Sequence, residues 1–146
     1  MGKCIQMTLP APLLLDTCAV IWILKNEHMK DGAVSAINDA SETGEAIFAS
    51  PISAWEIGQL VSRGRLSLSA PPLKLFSAFL DTRGARLAEL PPSVLIDSSF
   101  LPGTPPNDPA DRIIIATARE FGLQIVTRDR RILDYAEQGH VQALAC

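Results

Sequence analysis

Cysteine, histidine and long apolar runs are all scarce in this sequence. Its cysteines, Cys4, Cys18 and Cys146, are odd in number, widely separated and without C-x-x-C spacing, which fits neither a disulfide framework nor a zinc site. The two histidines, His28 and His140, also lack metal-ligand spacing, so we expect both at the surface. A reducing cytoplasm is therefore the simplest setting for this chain.

Membrane and export signals are equally absent. No uninterrupted apolar run approaches membrane-spanning length, and the first such run is cut at Asp16 before it reaches signal-peptide length. Residues 1–12 have the pattern of a loose leader, and Met7 is an alternative translation start. We therefore expect no membrane association.

Positive charge is also in short supply, because the formal net charge is -3. Any nucleic acid would have to be held by metal and by local arginine clusters rather than by a general basic surface. A chain of 146 residues with 47% hydrophobic content is large enough for one domain with a real core and too short for two. We assign that domain to residues 13–146.

Short β-like runs alternate with longer helical ones, which predicts an α/β domain with a mostly parallel sheet. The predicted strands are Leu13–Leu15, Ala46–Ala49, Ala85–Leu90, Gln124–Thr127 and, at the edge, Val141–Leu144. The predicted helices are Ala19–Leu24, Asp31–Ala40, Ser53 to about Gly64, Pro72–Thr82, a short one after Pro91-Pro92, Pro109–Phe121 and Asp129–Glu137. The proline-rich segment Leu101–Asp108 is predicted to be a loop.

Four acidic residues stand at predicted strand or helix boundaries, and we call them the acidic quartet: Asp16, Glu56, Asp111 and Asp129. Asp16 and Asp129 each follow a predicted strand, and the carboxyl ends of strands are where open α/β sheets place their ligands. Glu56 and Asp111 fall in the first turns of predicted helices, where the helix dipole favours negative charge. All four could therefore face one pocket.

Each of these positions also has a purely structural interpretation. Glu56 matches a capping box whose N-cap would be Ser53, and Asp108 is a natural N-cap with Pro109 at the first helical position. Asp111 and Asp129 could likewise serve a helix terminus. Asp16 is harder to explain in this way, because a charge directly after a buried run is costly unless it is paired or bound to metal.

Clustered carboxylates are typical of sites for Mg²⁺ or Mn²⁺, which prefer hard oxygen ligands. We assign Asp16 and Asp111 as primary ligands, and we expect Glu56 and Asp129 to complete a second metal position or to hold and deprotonate water. Thr17 and Thr127 are expected to hydrogen-bond carboxylates or water, and Arg112 is expected to meet phosphate. The local basic groups that we assign to a nucleic-acid backbone are Arg63, Arg65, Arg128, Arg130 and Arg131.

Three segments together resemble the PIN domain, and within it the VapC-type toxins of bacterial toxin–antitoxin pairs. They are LLLDTCAVIWIL, SPISAWEIGQLVSRGRLSL and NDPADRIIIATAREFGLQIVTRD, and the resemblance covers nearly the whole chain after the leader. It implies a three-layer α/β/α fold with four to five strands and a metal-dependent endoribonuclease whose catalytic residues are the acidic quartet. It also implies an RNA substrate, an antitoxin partner and a homodimer.

Asn107 and Ala110 depart from the pattern of this subgroup, which commonly has a histidine or arginine before the D-P-x-D-R stretch and a bulky residue within it. These changes bear on substrate fit or packing more than on metal binding. The apolar faces of the helices at Ala19–Leu24, Trp55–Val61 and Leu73–Leu80 suit an amphipathic antitoxin helix, although core packing explains most of those side chains, Trp22 and Trp55 included.

Two other functional classes stay open. One is a PIN-like interaction domain that has lost catalysis. The other is a haloacid-dehalogenase-like phosphotransferase, which the sequence Leu-Leu-Leu-Asp-Thr resembles faintly, but that chemistry needs a second aspartate where Cys18 stands.

Overall fold

The computed structural model describes residues 11–26, 31–43 and 47–146. Within these ranges the chain alternates strands and helices. The strands are β1 (Leu13–Leu15), β2 (Ile47–Ala49), β3 (Arg86–Leu87), β4 (Gln124–Thr127) and β5 (Gln142–Ala145). The helices are α1 (Thr17–Lys25), α2 (Asp31–Thr43), α3 (Pro51–Ser62), α4 (Pro72–Arg83), α5 (Pro92–Asp97), α6 (Pro109–Phe121) and α7 (Arg130–Glu137).

The strands form one sheet in the order β3-β2-β1-β4-β5, and every pair of neighbours in it is parallel. β1 lies at the centre, with Leu15 opposite Ala49 of β2 and opposite Val126 of β4. The chain moves outward from β1 in one direction and then in the other, so the residues that follow β1 and β4 lie at a topological switch point.

Helices cover both faces of the sheet, and the three leucines of β1 show how. Leu13 and Leu15 belong to a core cluster with side chains of α1, α2, α3 and α4, whereas Leu14 belongs to a second cluster with α6 and α7. Alternate residues of a strand point to opposite faces, so an entirely apolar strand is expected where both faces are buried. The three-layer α/β/α prediction is confirmed.

Most predicted elements are present with small differences at their ends, but two predictions were wrong. Ser50, not Ser53, is the N-cap of α3: its hydroxyl accepts a hydrogen bond from the Ile52 N–H at 3.1 Å, and Pro51 takes the first helical position. The third strand is shorter than predicted, because after Leu87 it keeps only the bond from Ala88 N–H to the Ala49 carbonyl before α5 begins.

Three predictions fall partly or wholly outside the described residues: the leader, the beginning of the second strand at Ala46, and the surface position of His28. His140 is partly buried and lies against Tyr135, with ring centroids 5.4 Å apart. Trp22 is buried as expected, while Trp55 is 58% exposed and is not a core residue. In the described part of the chain, none of the helices is both long and apolar enough to cross a bilayer.

The loop before α6 is held by side chains from two helices. Arg112 donates to the carbonyls of Ser98 at 2.9 Å and Pro106 at 3.0 Å, and the Tyr135 hydroxyl donates to the Pro102 carbonyl at 2.6 Å. The side-chain oxygen of Gln138 accepts from the Thr104 N–H at 3.1 Å. These bonds fix the direction in which the chain enters α6, and with it the position of Asp111.

Candidate active site

The acidic quartet gathers at the carboxyl edge of the sheet. Asp16 follows β1 as the N-cap of α1, and Asp129 follows the neighbouring β4 as the N-cap of α7. Glu56 and Asp111 come from α3 and α6, two helices that pack against each other. The chain folds in this way because parallel strands bring their carboxyl ends to one edge, where the next helices begin.

Asp16 is the most buried carboxylate of the site, with only 4% of the residue exposed. Its Oδ1 accepts from the Ala19 N–H and the Cys18 thiol, each at 3.0 Å, and its Oδ2 accepts from the Thr127 hydroxyl. Burial raises the pKa of Asp16, although these hydrogen bonds act to lower it. The protein therefore holds a carboxylate where water cannot fully solvate it.

Thr127 joins the two strand-end aspartates. Its hydroxyl donates to Asp16 and accepts from the backbone N–H of Asp129 at 2.9 Å. The residue is fully buried. The sequence predicted a carboxylate or water as its partner, and in this structure the partner is the Asp16 carboxylate.

Glu56 is held from the opposite side by α1. The Thr17 hydroxyl donates to its Oε1 and also lies 2.9 Å from the Ser53 hydroxyl. Burial raises the pKa of Glu56 more than the Thr17 bond lowers it, and the charges of Asp108 and Asp16 add to the rise. The capping-box interpretation of Glu56 is wrong, because the helix starts at Pro51 and the glutamate lies beyond its first turn.

Asp111 sits in the first turn of α6, where its N–H donates to Oδ2 of Asp108 at 3.0 Å. The N-cap prediction for Asp108 is thus confirmed. Burial, and then the charges of Asp108, Asp129 and Glu56, raise the pKa of Asp111 to about 7. A carboxyl group that is half protonated near neutral pH marks a strongly electronegative pocket.

Asp129 differs from the other three carboxylates because both the backbone N–H and the guanidinium of Arg131 contact it. Its Oδ1 accepts from the Arg131 N–H at 2.8 Å, and its Oδ2 lies 3.3 Å from the Arg131 guanidinium. Burial acts to raise the pKa of Asp129, but the hydrogen bonds and charge of Arg131 outweigh it, so the pKa lies below its ordinary value. Asp129 is an N-cap as well as a member of the site.

The donor chemistry of the quartet fits a hard divalent cation, since every candidate ligand is a carboxylate oxygen and three of the four have raised pKa values. The present side-chain directions do not enclose one. In the part of the chain that the structure describes, no three His, Cys, Asp or Glu side chains converge closely enough to hold an ion. The carboxylates of Asp16, Glu56 and Asp129 instead accept from Thr127, Thr17 and Arg131 in turn. The Asp111 carboxylate lies 3.8 Å from the Arg131 guanidinium.

The predicted phosphate-binding arginines occupy different environments. Arg112 is engaged by two backbone carbonyls of the preceding loop. The guanidinium carbon of Arg128 lies 3.8 Å from the ring centroid of Trp22, in cation–π geometry. Arg63 and Arg65 lie exposed after α3, and Arg130 pairs with Asp134 and Glu137 on the outer face of α7. Their contacts with RNA stay a prediction.

Two residues of this site escaped the sequence analysis. Ser53 was taken for a cap, and its contact with Thr17 follows only from the packing of α1 against α3. Arg131 was one of several basic residues, and nothing in the sequence singled it out as the partner of both Asp129 and Asp111. The Ser50-Pro51 pair was the available signal for the true N-cap, because proline favours the first helical position.

The sequence matches a known protein family over most of its length. The family model for the PIN domain matches residues 13–138. Ribonuclease VapC22 from Mycobacterium tuberculosis (strain ATCC 25618 / H37Rv) is 35% identical over 121 residues, which cover 82% of this chain and 88% of that protein.

Solved structures share the fold at lower identity. A chain of the crystal structure of VapBC2 from Rickettsia felis, bound to a DNA fragment from their promoter, superposes with a TM-score of 0.66 at 14% identity, covering 91% of this chain and 97% of that one. A chain of FitAcB from Neisseria gonorrhoeae gives a TM-score of 0.53 at 22% identity, covering 90% and 96%. With its sheet order, its acidic edge and a family match across most of its length, the chain belongs to the PIN domain family.

Proposed function

We propose that this chain is a metal-dependent endoribonuclease, the toxin of a toxin–antitoxin pair, which hydrolyses RNA phosphodiester bonds at the acidic quartet. The observation that carries the proposal is the gathering of four carboxylates from four elements at one edge of the sheet, with the pKa of Asp111 raised to about 7. Repulsion between the carboxylates lowers stability, and strongly shifted pKa values cluster at functional sites, which supports a functional role for this edge.

The relatives support the same activity. The protein that is 35% identical to this chain is named a ribonuclease, and the similar solved chains come from the VapBC2 and FitAcB complexes. Since the ribonuclease match spans most of both chains, the proposed activity concerns the whole domain rather than a shared fragment.

Asp16 and Asp111 would hold a divalent cation, Mg²⁺ or Mn²⁺, while Glu56 and Asp129 would complete a second metal position or hold and deprotonate water. When bound, the cation would supply the positive charge that stabilises the phosphate during displacement and makes water a stronger nucleophile. The protein itself would limit the hydration of these carboxylates and fix their orientation with hydrogen-bond donors. Thr127 is the donor that orients Asp16.

Glu56 is the proposed proton acceptor. Thr17 fixes its Oε1, and Oε2 would take a proton from the attacking water. Its raised pKa favours this role, because a general base works best when its pKa lies close to the working pH. Arg128, exposed beside Asp129, is the proposed contact for the RNA backbone.

Exposed apolar side chains on α3 and α4 support an antitoxin as a partner. Trp55 on α3 is 58% exposed and Leu73 on α4 is 78% exposed, and the two helices pack against each other. An amphipathic antitoxin helix could cover these side chains and bring a basic residue toward the carboxylates. We propose that the chain acts in the cytoplasm as a homodimer held silent by such an antitoxin.

The test is cleavage of a structured RNA pool by the partner-free chain in Mg²⁺ or Mn²⁺, with chelator as a control. We expect Asp16→Asn to abolish cleavage, whereas Asp134→Asn, a carboxylate on the outer face of α7 that pairs with Arg130, should retain it. Metal binding without cleavage of any RNA would instead favour an inactive PIN-like interaction domain. Cleavage that persists in chelator would contradict the metal-dependent mechanism.

A further inference from the structure

Arg131 places a positive group between two carboxylates of the quartet. One of its terminal guanidinium nitrogens lies 3.3 Å from Oδ2 of Asp129 and 3.8 Å from Oδ2 of Asp111. Asp111 lies in α6, whereas Asp129 is the N-cap of α7. This nitrogen is therefore a single cationic group shared by two acidic residues, as a bound ion would be.

The contact is made from the solvent side. The side chain of Arg131 is 65% exposed, while those of Asp111 and Asp129 are 15% and 23% exposed. An exposed arginine side chain gains little from such a pair and is free to rotate into water. The guanidinium can thus leave the site without any rearrangement of the fold.

We propose that Arg131 is an internal counter-cation that competes with the divalent metal for Asp111 and Asp129 and thereby weakens metal binding. The inference rests on the metal site of the proposed function and adds a residue that sets how much metal is needed to fill it. Because both oxygens of Asp129 face the Arg131 side chain, a metal ion bound to Asp129 would lie close to the guanidinium charge and would be repelled by it.

A positioning role for Arg131 predicts a change in the metal Kd in the opposite direction. If Arg131 positioned the two carboxylates for the metal, its removal would weaken metal binding. If it competes, removal tightens binding, because the carboxylates lose a rival cation and the incoming ion loses a like charge nearby. The sign of the change in Kd therefore decides between the two roles.

The experiment is calorimetric titration of Mn²⁺ into the metal-free chain, comparing wild type with Arg131→Ala, Arg131→Lys and Arg130→Ala. For Arg131→Ala we expect the Kd to fall by roughly fivefold. In this variant the backbone N–H of residue 131 still donates to the Asp129 carboxylate, so α7 keeps its N-cap. Arg131→Lys keeps the positive charge but loses the planar guanidinium, so its Kd should lie between those of the wild type and Arg131→Ala.

Arg130→Ala is the matched control. It removes the same charge one residue earlier on the same helix, but Arg130 pairs with Asp134 and Glu137. Its Kd should match that of the wild type to within about twofold. An unchanged or weaker affinity in Arg131→Ala, with the wild type binding Mn²⁺, overturns the competition and leaves the proposed function standing. Absence of binding in every variant, wild type included, overturns both.

Discussion

Thr127 carries the hydrogen bonds that link Asp16 to the backbone of Asp129. Thr127→Val keeps the shape of the side chain but leaves the buried Asp16 carboxylate and one N–H without this partner. We expect a loss of about 2 kcal/mol in the free energy of unfolding and a large fall in RNA cleavage. Urea denaturation of the metal-free chain and a cleavage assay measure the two effects.

Thr117→Val is a suitable control for that prediction. Thr117 is also fully buried, but its hydroxyl donates to the Ile113 carbonyl at 2.7 Å within its own helix. The Ile113 carbonyl that accepts this bond also accepts a backbone hydrogen bond within the helix. Loss of the hydroxyl should therefore cost less than about 1 kcal/mol and leave cleavage intact. Equal losses of cleavage in the two variants would contradict the role assigned to Thr127.

The raised pKa of Asp111 makes the stability of the metal-free chain depend on pH. Its folded-state pKa of about 7 lies above the ordinary value of 3.8, so the folded state holds this proton more tightly. Stability from this group is present at low pH and is lost as the pH rises through about 7. Asp111→Asn, which cannot ionise, should match the wild type near about pH 4 and be more stable near about pH 8.

Denaturation midpoints in chelator, measured across that pH range, test this expectation. A constant difference between the two proteins at all pH values would mean that Asp111 does not titrate as described. The same variant should lose metal-dependent cleavage at every pH, because the amide is a poor substitute for a carboxylate ligand.

The pairing of hydroxyl donors with carboxylates in the site could not be predicted from the sequence. Asp16 and Asp129 were selected because each follows a strand, and Asp111 because it lies in the first turn of a helix. Glu56 was selected from a first turn that α3 does not have at that position. The donors that direct them, Thr127 for Asp16 and Thr17 for Glu56, lie far away in the chain and become partners only through packing. Local patterns do not encode which hydroxyl meets which carboxylate.

At the scale of elements, predictions succeeded where capping chemistry was explicit. α6 begins at Pro109 after the Asp108 cap and ends before Gly122, and its limits match the prediction although three consecutive isoleucines favour a strand. β3 was predicted too long, because apolar residues continue to Leu90 after the sheet has ended at Leu87. Its length is set by the neighbouring strand rather than by its own sequence.

Gly103, in the loop before α6, should not tolerate a side chain. Its φ is +69°, and a Cβ there would lie 2.7 Å from side-chain atoms of Gln138 and His140. Gly103→Ala should therefore cost more than about 1 kcal/mol, through both strain and displacement of the loop that leads to Asp111.

Gly58→Ala is the control for this substitution. Gly58 lies within α3, and a Cβ there would meet no atom within 4 Å. Alanine is the better helix former by about 1 kcal/mol, so this variant should be more stable than the wild type. Thermal unfolding of both variants checks the two signs, and a stabilised Gly103→Ala would contradict the described loop.

For the whole molecule, the acidic edge implies that metal and folding are linked. The quartet exists only in the folded chain, so a divalent cation that binds it shifts the unfolding equilibrium toward the folded state. With Mn²⁺ at a hundred times its Kd, we expect about 2.7 kcal/mol of added stability. Asp16→Asn should lose most of this gain, and calorimetric melting with and without Mn²⁺ measures it.

The sheet order also governs when such a site can exist. Asp16 and its partner Thr127 are separated by 111 residues, and the strand that carries Thr127 pairs directly with the central β1. A chain still emerging from the ribosome has its first aspartate exposed long before β4 has been synthesised. The proposed site is therefore complete only after β4 has been synthesised and has paired with β1, so a chain that stops before β4 should not cleave RNA.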